Sequence, residues 1–306
     1  MRTIKSFITD HSGAALFLYQ WIPDSKPVAV VQVVHGMAEH AARYQRLAQF
    51  LTDRGIAVYA DDHHGHGRSV HEGKSWGVLP DNGFKSMVEN EREITEQIRK
   101  EYPDTPVFLF GHSMGSFISR HYLAKYKKSV DGVILSGTGN PSYVELLGGL
   151  LVATLQCLLF GSKSPAKVLD NLAFGGYNRK FAPNRTAFDW LSRDEAEVDK
   201  YVQDPMCGNI FPTGFYRSFF KALLFLKTEK SVRQISKDIP VLFLSGEKDP
   251  VGDFGKGVKA VFETYRQRRF QNLDLHLFPG CRHEILNETN REEVMEEFYG
   301  WICKNL

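Results

Sequence analysis

Four short apolar runs constrain the fold of this 306-residue chain most: Val28–Val34, Ile56–Ala60, Val107–Phe110 and Gly132–Leu135. Each is too short for a free-standing helix and is rich in β-branched or aromatic residues. None alternates with polar residues as a half-solvated strand does, so both faces of the sheet they form are expected to be covered, the condition of central parallel strands. Helical periods separate them. Tyr44, Leu47, Phe50 and Leu51 recur at three and four residues, Phe84–Tyr102 carries Met87, Ile94 and Ile98 among charges, and Phe117, Ile118, Tyr122 and Leu123 line a further helix. This alternation predicts an α/β fold with helices on both faces of the sheet. Ahead of it, Ser6–Ile8 and Ala14–Ile22 flank the turn signal His11-Ser12-Gly13 and predict an opening hairpin.

The alternation stops after Ser136. Strand-like runs resume at Val241–Ser245 and Leu273–Phe278, separated by a helical stretch, Gly255–Arg269, and followed by a last helix, Glu292–Cys303. The economical division is a core of residues 1–136 and 237–306 interrupted by a mainly helical cap, residues 137–236. Within Leu146–Phe160 only Thr154 and Gln156 carry polar side chains. That run is shorter than the roughly 20 residues a membrane span needs. A helix that lines an acyl pocket or touches a lipid surface is one reading, and a cap helix packed on the core is the other. Phe181–Pro205, with Asp189-Trp190-Leu191-Ser192-Arg193-Asp194, is too polar for an acyl tunnel and reads as a head-group site or as ordinary surface.

Composition excludes other classes. The formal charge is +2 with Lys and Arg scattered, so no nucleic-acid partner is expected. Cys157, Cys207, Cys281 and Cys303 have neither Cys-x-x-Cys nor zinc-type spacing and read as free thiols. With no secretory signal at the start, a cytoplasmic protein is expected.

Val107–Phe110 runs straight into Gly111-His112-Ser113-Met114-Gly115, followed by a helix. A serine on such a strand-to-helix turn adopts strained backbone angles, and larger residues at the flanking glycines would collide with strand and helix. The turn lifts the hydroxyl clear of the sheet and places the N–H of Met114 where it can stabilise an oxyanion. Ser113 is therefore the candidate nucleophile, and it needs a base.

In chain order, acid and histidine should each follow a later strand. His283 follows the last strand, in Pro279-Gly280-Cys281-Arg282-His283-Glu284. His276 lies inside that strand, where it should point to a packed face, and His121 lies on a helix. After Val241–Ser245, Glu247, Asp249 and Asp253 compete as the acid. Asp249 is preferred because Pro250 stiffens its turn, whereas Asp253 is placed to cap the next helix and Glu247 to be solvated.

Val28–Val34 ends in His35-Gly36-Met37-Ala38-Glu39-His40, where Gly36 allows close approach and Met37 N–H is the second oxyanion donor. The run Asp61-Asp62-His63-His64-Gly65-His66-Gly67-Arg68-Ser69 has the residue types of a metal site. With no second ligand group at metal spacing elsewhere, a turn held by polar contacts is expected and no metal is assigned.

His35-Gly-x-x-Glu39-His40, the Asp62–Ser69 loop, Gly111–Gly115, Gly246-x-x-Asp249-Pro250 and Arg282-His283-Glu284 together resemble the monoacylglycerol lipase and lysophospholipase group of α/β-hydrolases, the bacterial members in particular. The resemblance implies an eight-stranded sheet, a lid after the sixth strand and no cofactor. It also implies Ser113, Asp249 and His283 as a triad, Met37 and Met114 as oxyanion donors, and small-molecule esters of glycerol or lysophospholipids as substrates. Transient contact of the cap with a membrane surface fits that substrate class. A peptidase, thioesterase or acyltransferase would use the same triad, and a non-catalytic ligand receptor would not need it.

Overall fold

In the computed structural model, which describes residues 1–70, 75–80 and 83–306, eight strands form one sheet. They are β1 (Arg2–Thr9), β2 (Ala15–Ile22), β3 (Ala29–Val34), β4 (Ile56–Asp62), β5 (Val107–His112), β6 (Gly132–Ser136), β7 (Val241–Gly246) and β8 (Leu273–Phe278). Their spatial order is β1-β2-β4-β3-β5-β6-β7-β8. β1 and β2 form the opening hairpin and β2 runs antiparallel to β4, while every pair from β4 to β8 is parallel. This is the α/β-hydrolase sheet.

Double coverage explains the missing alternation. On β5, Val107 and Leu109 face a core shared with helices α2 (Phe84–Glu101), α3 (Met114–Lys125) and α9 (Lys256–Gln267). Phe108 and Phe110 face the other core, with α1 (Gln45–Thr52) and α10 (Arg291–Lys304). The sheet's far edge is different. β8 is only partly covered, and His276 on it stacks on Phe278 at 4.2 Å while its Nδ1 lies 3.6 Å from Glu297. The expectation of a packed position for His276 is thus corrected: an edge strand has solvent beside it.

Between β6 and β7 the chain leaves the sheet for α4 (Tyr143–Phe160), α5 (Lys167–Phe174), α6 (Glu195–Gln203), α7 (Thr213–Leu226) and α8 (Glu229–Arg233). α4 opens with a capping box in which Ser142 and Glu145 satisfy each other's backbone N–H groups. It lies on α7, and Gly149 makes this possible: a Cβ there would come within 2.6 Å of the Phe220 ring. α4 is long and apolar enough to cross a membrane by length and composition, yet its outer face is open to solvent.

The register places the catalytic candidates. Val34 lies opposite Gly111, His112 opposite Ser136, and Gly246 opposite Phe278. The loops after β3, β5, β6, β7 and β8 therefore emerge at one rim, where open α/β sheets bind ligands.

Candidate active site

Ser113 sits at that rim between β5 and α3 with φ 53° and ψ −118°, a strained conformation for a residue with a side chain. Its N–H donates to Ser136 O at 2.9 Å. The flanking glycines are required by packing, since a Cβ on Gly111 would strike Ser119 and Gly115, and one on Gly115 would strike Val34 O.

His283 is buried, and its Nδ1 is hydrogen-bonded to Asp249 Oδ1 at 2.9 Å. Asp249 is itself fully buried, and the same oxygen accepts from Val251 N–H at 2.8 Å. Burial works against the protonated ring, but the Asp249 charge and hydrogen bond, with Glu284 and Glu39 beyond, outweigh it and hold the His283 pKa above 6.5. The rejected carboxylates are elsewhere. Glu247 is exposed, accepting from Gly280 N–H at 3.2 Å. Asp253 is also exposed, but it does not cap α9 as expected: Gly255 takes the N-cap position, and Asp253 itself has φ 47°.

The His283 ring lies 4.7 Å from the His112 ring and against Gly137, whose added Cβ would meet His283 Cε1 at 2.8 Å. Both neighbours flank Ser113. No hydrogen bond joins Ser113 Oγ to the ring in this state, and contacts of this kind commonly tighten only when substrate is bound.

A Cβ on Gly36 would lie 3.3 Å from Ser113 Cβ, so the loop after β3 passes directly beside the serine. Its shape is fixed from within. Gly36 N–H donates to Glu39 Oε1 at 2.6 Å, and His35 Nδ1 lies 2.7 Å from Gly36 O while its Nε2 accepts from His63 N–H at 3.1 Å. Those partners set the tautomer of a neutral ring, and burial keeps the His35 pKa well below 6.5. Among the described residues, neither Met37 N–H nor Met114 N–H has an acceptor within the chain. Two backbone donors without an acceptor thus belong to the loop beside the serine and to the residue that follows it.

A polar cluster adjoins this loop. Arg43 binds Glu284 through two hydrogen bonds of 2.6 Å and Glu39 through a third of 2.6 Å. Burial would raise the Glu284 pKa, but Arg43 overrides it and holds the carboxyl down at about 2. Tyr44 hydroxyl completes the shell of Glu39 at 2.9 Å. Arg43, Glu39, Glu284 and His112 line a small cavity beside the serine turn. The sequence offered Glu39 and Glu284 only as parts of motifs, and Arg43 had no signal.

The stretch Asp189–Arg193 has a role that neither sequence reading gave it. Trp190 O and Leu191 O accept from His283 N–H at 3.4 Å and Glu284 N–H at 2.7 Å. The Trp190 ring lies 5.1 Å from the His283 ring, and Arg282 donates to the carbonyls of Asp189 and Ser192. This part of the helical insertion grips the histidine loop. An apolar pair, Trp190-Leu191, inside a polar stretch was the available signal. A second strap holds the other loop: Tyr201 hydroxyl and Gly208 N–H both donate to Ala38 O at 2.9 Å.

The Asp61–Ser69 loop is held by polar contacts. Asp62 accepts from Ala41 N–H at 2.8 Å and Arg68 N–H at 2.7 Å, and His64 Nε2 lies 2.7 Å from Asp10 Oδ2. One expectation about it fails, because folding does supply a further ligand-type group, Glu91 from α2, beside Asp61 and His63. Burial and the Asp61 charge push the Glu91 pKa well above 4.5; among the described residues Asp61 Oδ1 and Glu91 Oε1 have no hydrogen-bond partner, although Glu91 Oε1 lies 3.4 Å from His63 Nδ1. Burial and charge thus favour a protonated Glu91 beside an ionised Asp61.

Residues 25–290 match the family profile described as Serine aminopeptidase, S33. The chain is 31% identical to the monoacylglycerol lipase of Mycolicibacterium smegmatis over 99% of this chain and all of that protein. It is 30% identical to the monoglyceride lipase of Mus musculus, covering 98% of this chain and 90% of that one. A thermostable carboxyl esterase from Bacillus coagulans, solved in complex with glycerol, superimposes with a TM-score of 0.92 at 28% identity, over 100% and 99% of the two chains. The chain belongs to the serine aminopeptidase S33 family and, within it, to the monoacylglycerol lipase group of α/β-hydrolases.

Proposed function

We propose that this carboxylic ester hydrolase works through an acyl-Ser113 intermediate on monoacylglycerols, lysophospholipids or similar short- and medium-chain esters. His283 takes the Ser113 proton as Oγ attacks the ester carbonyl, and returns it to the leaving alcohol. Asp249 fixes the ring with Nδ1 protonated and stabilises the imidazolium. The oxyanion is met by Met37 and Met114 N–H, and water repeats the cycle to release the acid. The observation that carries this reading is the buried Asp249–His283 pair beside a strained serine with two free backbone donors.

The residues on the two sides of the serine differ in a way that bears on substrate class. Met37 and Met114 belong to an apolar cluster that continues into the insertion through Leu146, Leu169, Phe215 and Phe219, apolar packing beside the serine that suits an acyl-chain substrate. On the other side, Glu39 and Glu284 are occupied by Arg43, Tyr44, Asn287 and Gly36. Their oxygens are not free to receive the ammonium group of an aminoacyl substrate, which favours esters over peptides despite the family's name. Residues 137–236 act as the cap. The exposed faces of α4 and α5, with Val144 at 81%, Leu158 at 76% and Leu172 at 67% exposure, touch lipid surfaces from which substrate is drawn. Four free cysteines support the cytoplasmic placement.

A hydrolysis panel of nitrophenyl esters, monoacylglycerols, lysophospholipids and aminoacyl amides tests the substrate reading. Esters turned over, with no measurable amide cleavage, is the expected result. Faster cleavage of amides than of every ester would overturn it.

A further inference from the structure

The cap meets the core a few residues beyond the oxyanion loop, and there folding assembles a ligand set split across the chain. His40 follows that loop, while Asp204 and Cys207 lie on the turn after α6. One imidazole nitrogen, one carboxylate oxygen and the Cys207 Sγ lie within 4.8 Å of one another. The turn is fixed by backbone contacts: Cys207 N–H donates to Asp204 O at 3.0 Å, and Met206 N–H to Asp204 Oδ1 at 2.8 Å. This leaves Asp204 Oδ2 pointing at His40, with Nε2 at 2.8 Å. The His40 ring is only 5% exposed, and among the described residues its Nδ1 is buried without a partner. The nitrogen that would meet an ion is Nε2, which faces Asp204 Oδ2, while Nδ1 points away from Asp204 across the ring.

We propose that His40, Asp204 and Cys207 form a binding site for a zinc-class divalent cation that fastens the cap to the core. The donor set, imidazole, carboxylate and thiolate, is the one that selects zinc over the hard cations magnesium and calcium. Binding requires one proton balance and no redox step: the Sγ–metal bond forms as the thiol proton leaves to solvent. A neutral imidazole, one carboxylate and one thiolate then match the charge of the ion. Arg43 nearby is already bound by Glu39 and Glu284. Asp204 keeps 26% of its side chain exposed, so the ion has a path from solvent, and the fourth position is left to water. The ion would tie down the same junction at which Tyr201 and Gly208 hold Ala38 O. The site does not depend on the esterase reading.

Cobalt provides a probe whose signal does not involve activity. The full chain, stripped with chelator, should bind one equivalent of Co²⁺ with a thiolate-to-cobalt charge-transfer absorption, and one equivalent of Zn²⁺ should displace it. The band should vanish in Cys207→Ser, and in Cys207→Ala if the serine variant folds poorly. In Asp204→Asn the affinity should fall by at least about tenfold. No such band in the unmodified chain, or a band that survives loss of Cys207, would overturn the proposal.

Discussion

His283 is held from two sides, and the two sides are built differently. From the core it is fixed by Asp249, three residues past the end of β7, through one buried charge-assisted hydrogen bond. From the insertion it is fixed by the Trp190 carbonyl on its own N–H, by the Leu191 carbonyl on the neighbouring Glu284 N–H and by a ring contact, a grip spread over several neutral interactions. The first arrangement concentrates its effect in one atom pair that acts on the proton. The second distributes its effect over packing that acts on position. Changes on the core side should therefore stop the chemistry in a folded protein, and changes on the insertion side should loosen the protein first.

The largest effect is expected for Ser113→Ala, which should lower kcat for a nitrophenyl ester by roughly 10⁶-fold, with the circular dichroism spectrum and melting temperature retained. Asp249→Asn should come next, at about 10⁴-fold, because the amide no longer sets the ring's tautomer. A pH profile sharpens that result. His283 must be neutral to accept the serine proton, and its pKa is raised above 6.5. In the unmodified enzyme kcat/KM should thus rise with pH through an inflection above 6.5, and the residual activity of Asp249→Asn should show that inflection at lower pH. Trp190→Ala, removing a ring that is only 9% exposed, should cost about 3–5 kcal/mol of stability by denaturant melt. Its kcat should fall far less than that of Asp249→Asn, and an equal fall would erase the contrast between the two sides. The smallest effect should come from the outer face of α4. Leu158→Ser with Phe160→Ser should leave turnover of a soluble ester unchanged while weakening vesicle sedimentation by about tenfold per residue.

The same contrast explains what could be read from the chain before folding. β5 was legible because burial on both faces leaves no room for polar residues, and Gly111 and Gly115 because backbone and helix crowd the serine on either side. Asp249 and His283 were legible because each follows its strand within a few residues. Contacts across long separations left no such trace. Arg43 and Glu284 are 241 residues apart, and His40 and Asp204 are 164 apart. Glu91 reaches Asp61 only because α2 crosses the sheet there. Trp190 looked like surface because most of its neighbours in sequence are polar, whereas its partners in space are the histidine loop and the aromatic rings of Phe174 and Tyr177. Solvation of a segment is set by what folds onto it, and local composition reports that only where the cover is complete, as on the central strands.

The central claim is that Ser113 carries the acyl group. Incubating the protein with a nitrophenyl ester, quenching in acid within the first turnover and mapping peptides by mass spectrometry tests it directly. One acyl group on Ser113 that accumulates in step with nitrophenol release, and is lost on further incubation, is the predicted result. Full nitrophenol release from a chain acylated at another residue, or from Ser113→Ala, would contradict it.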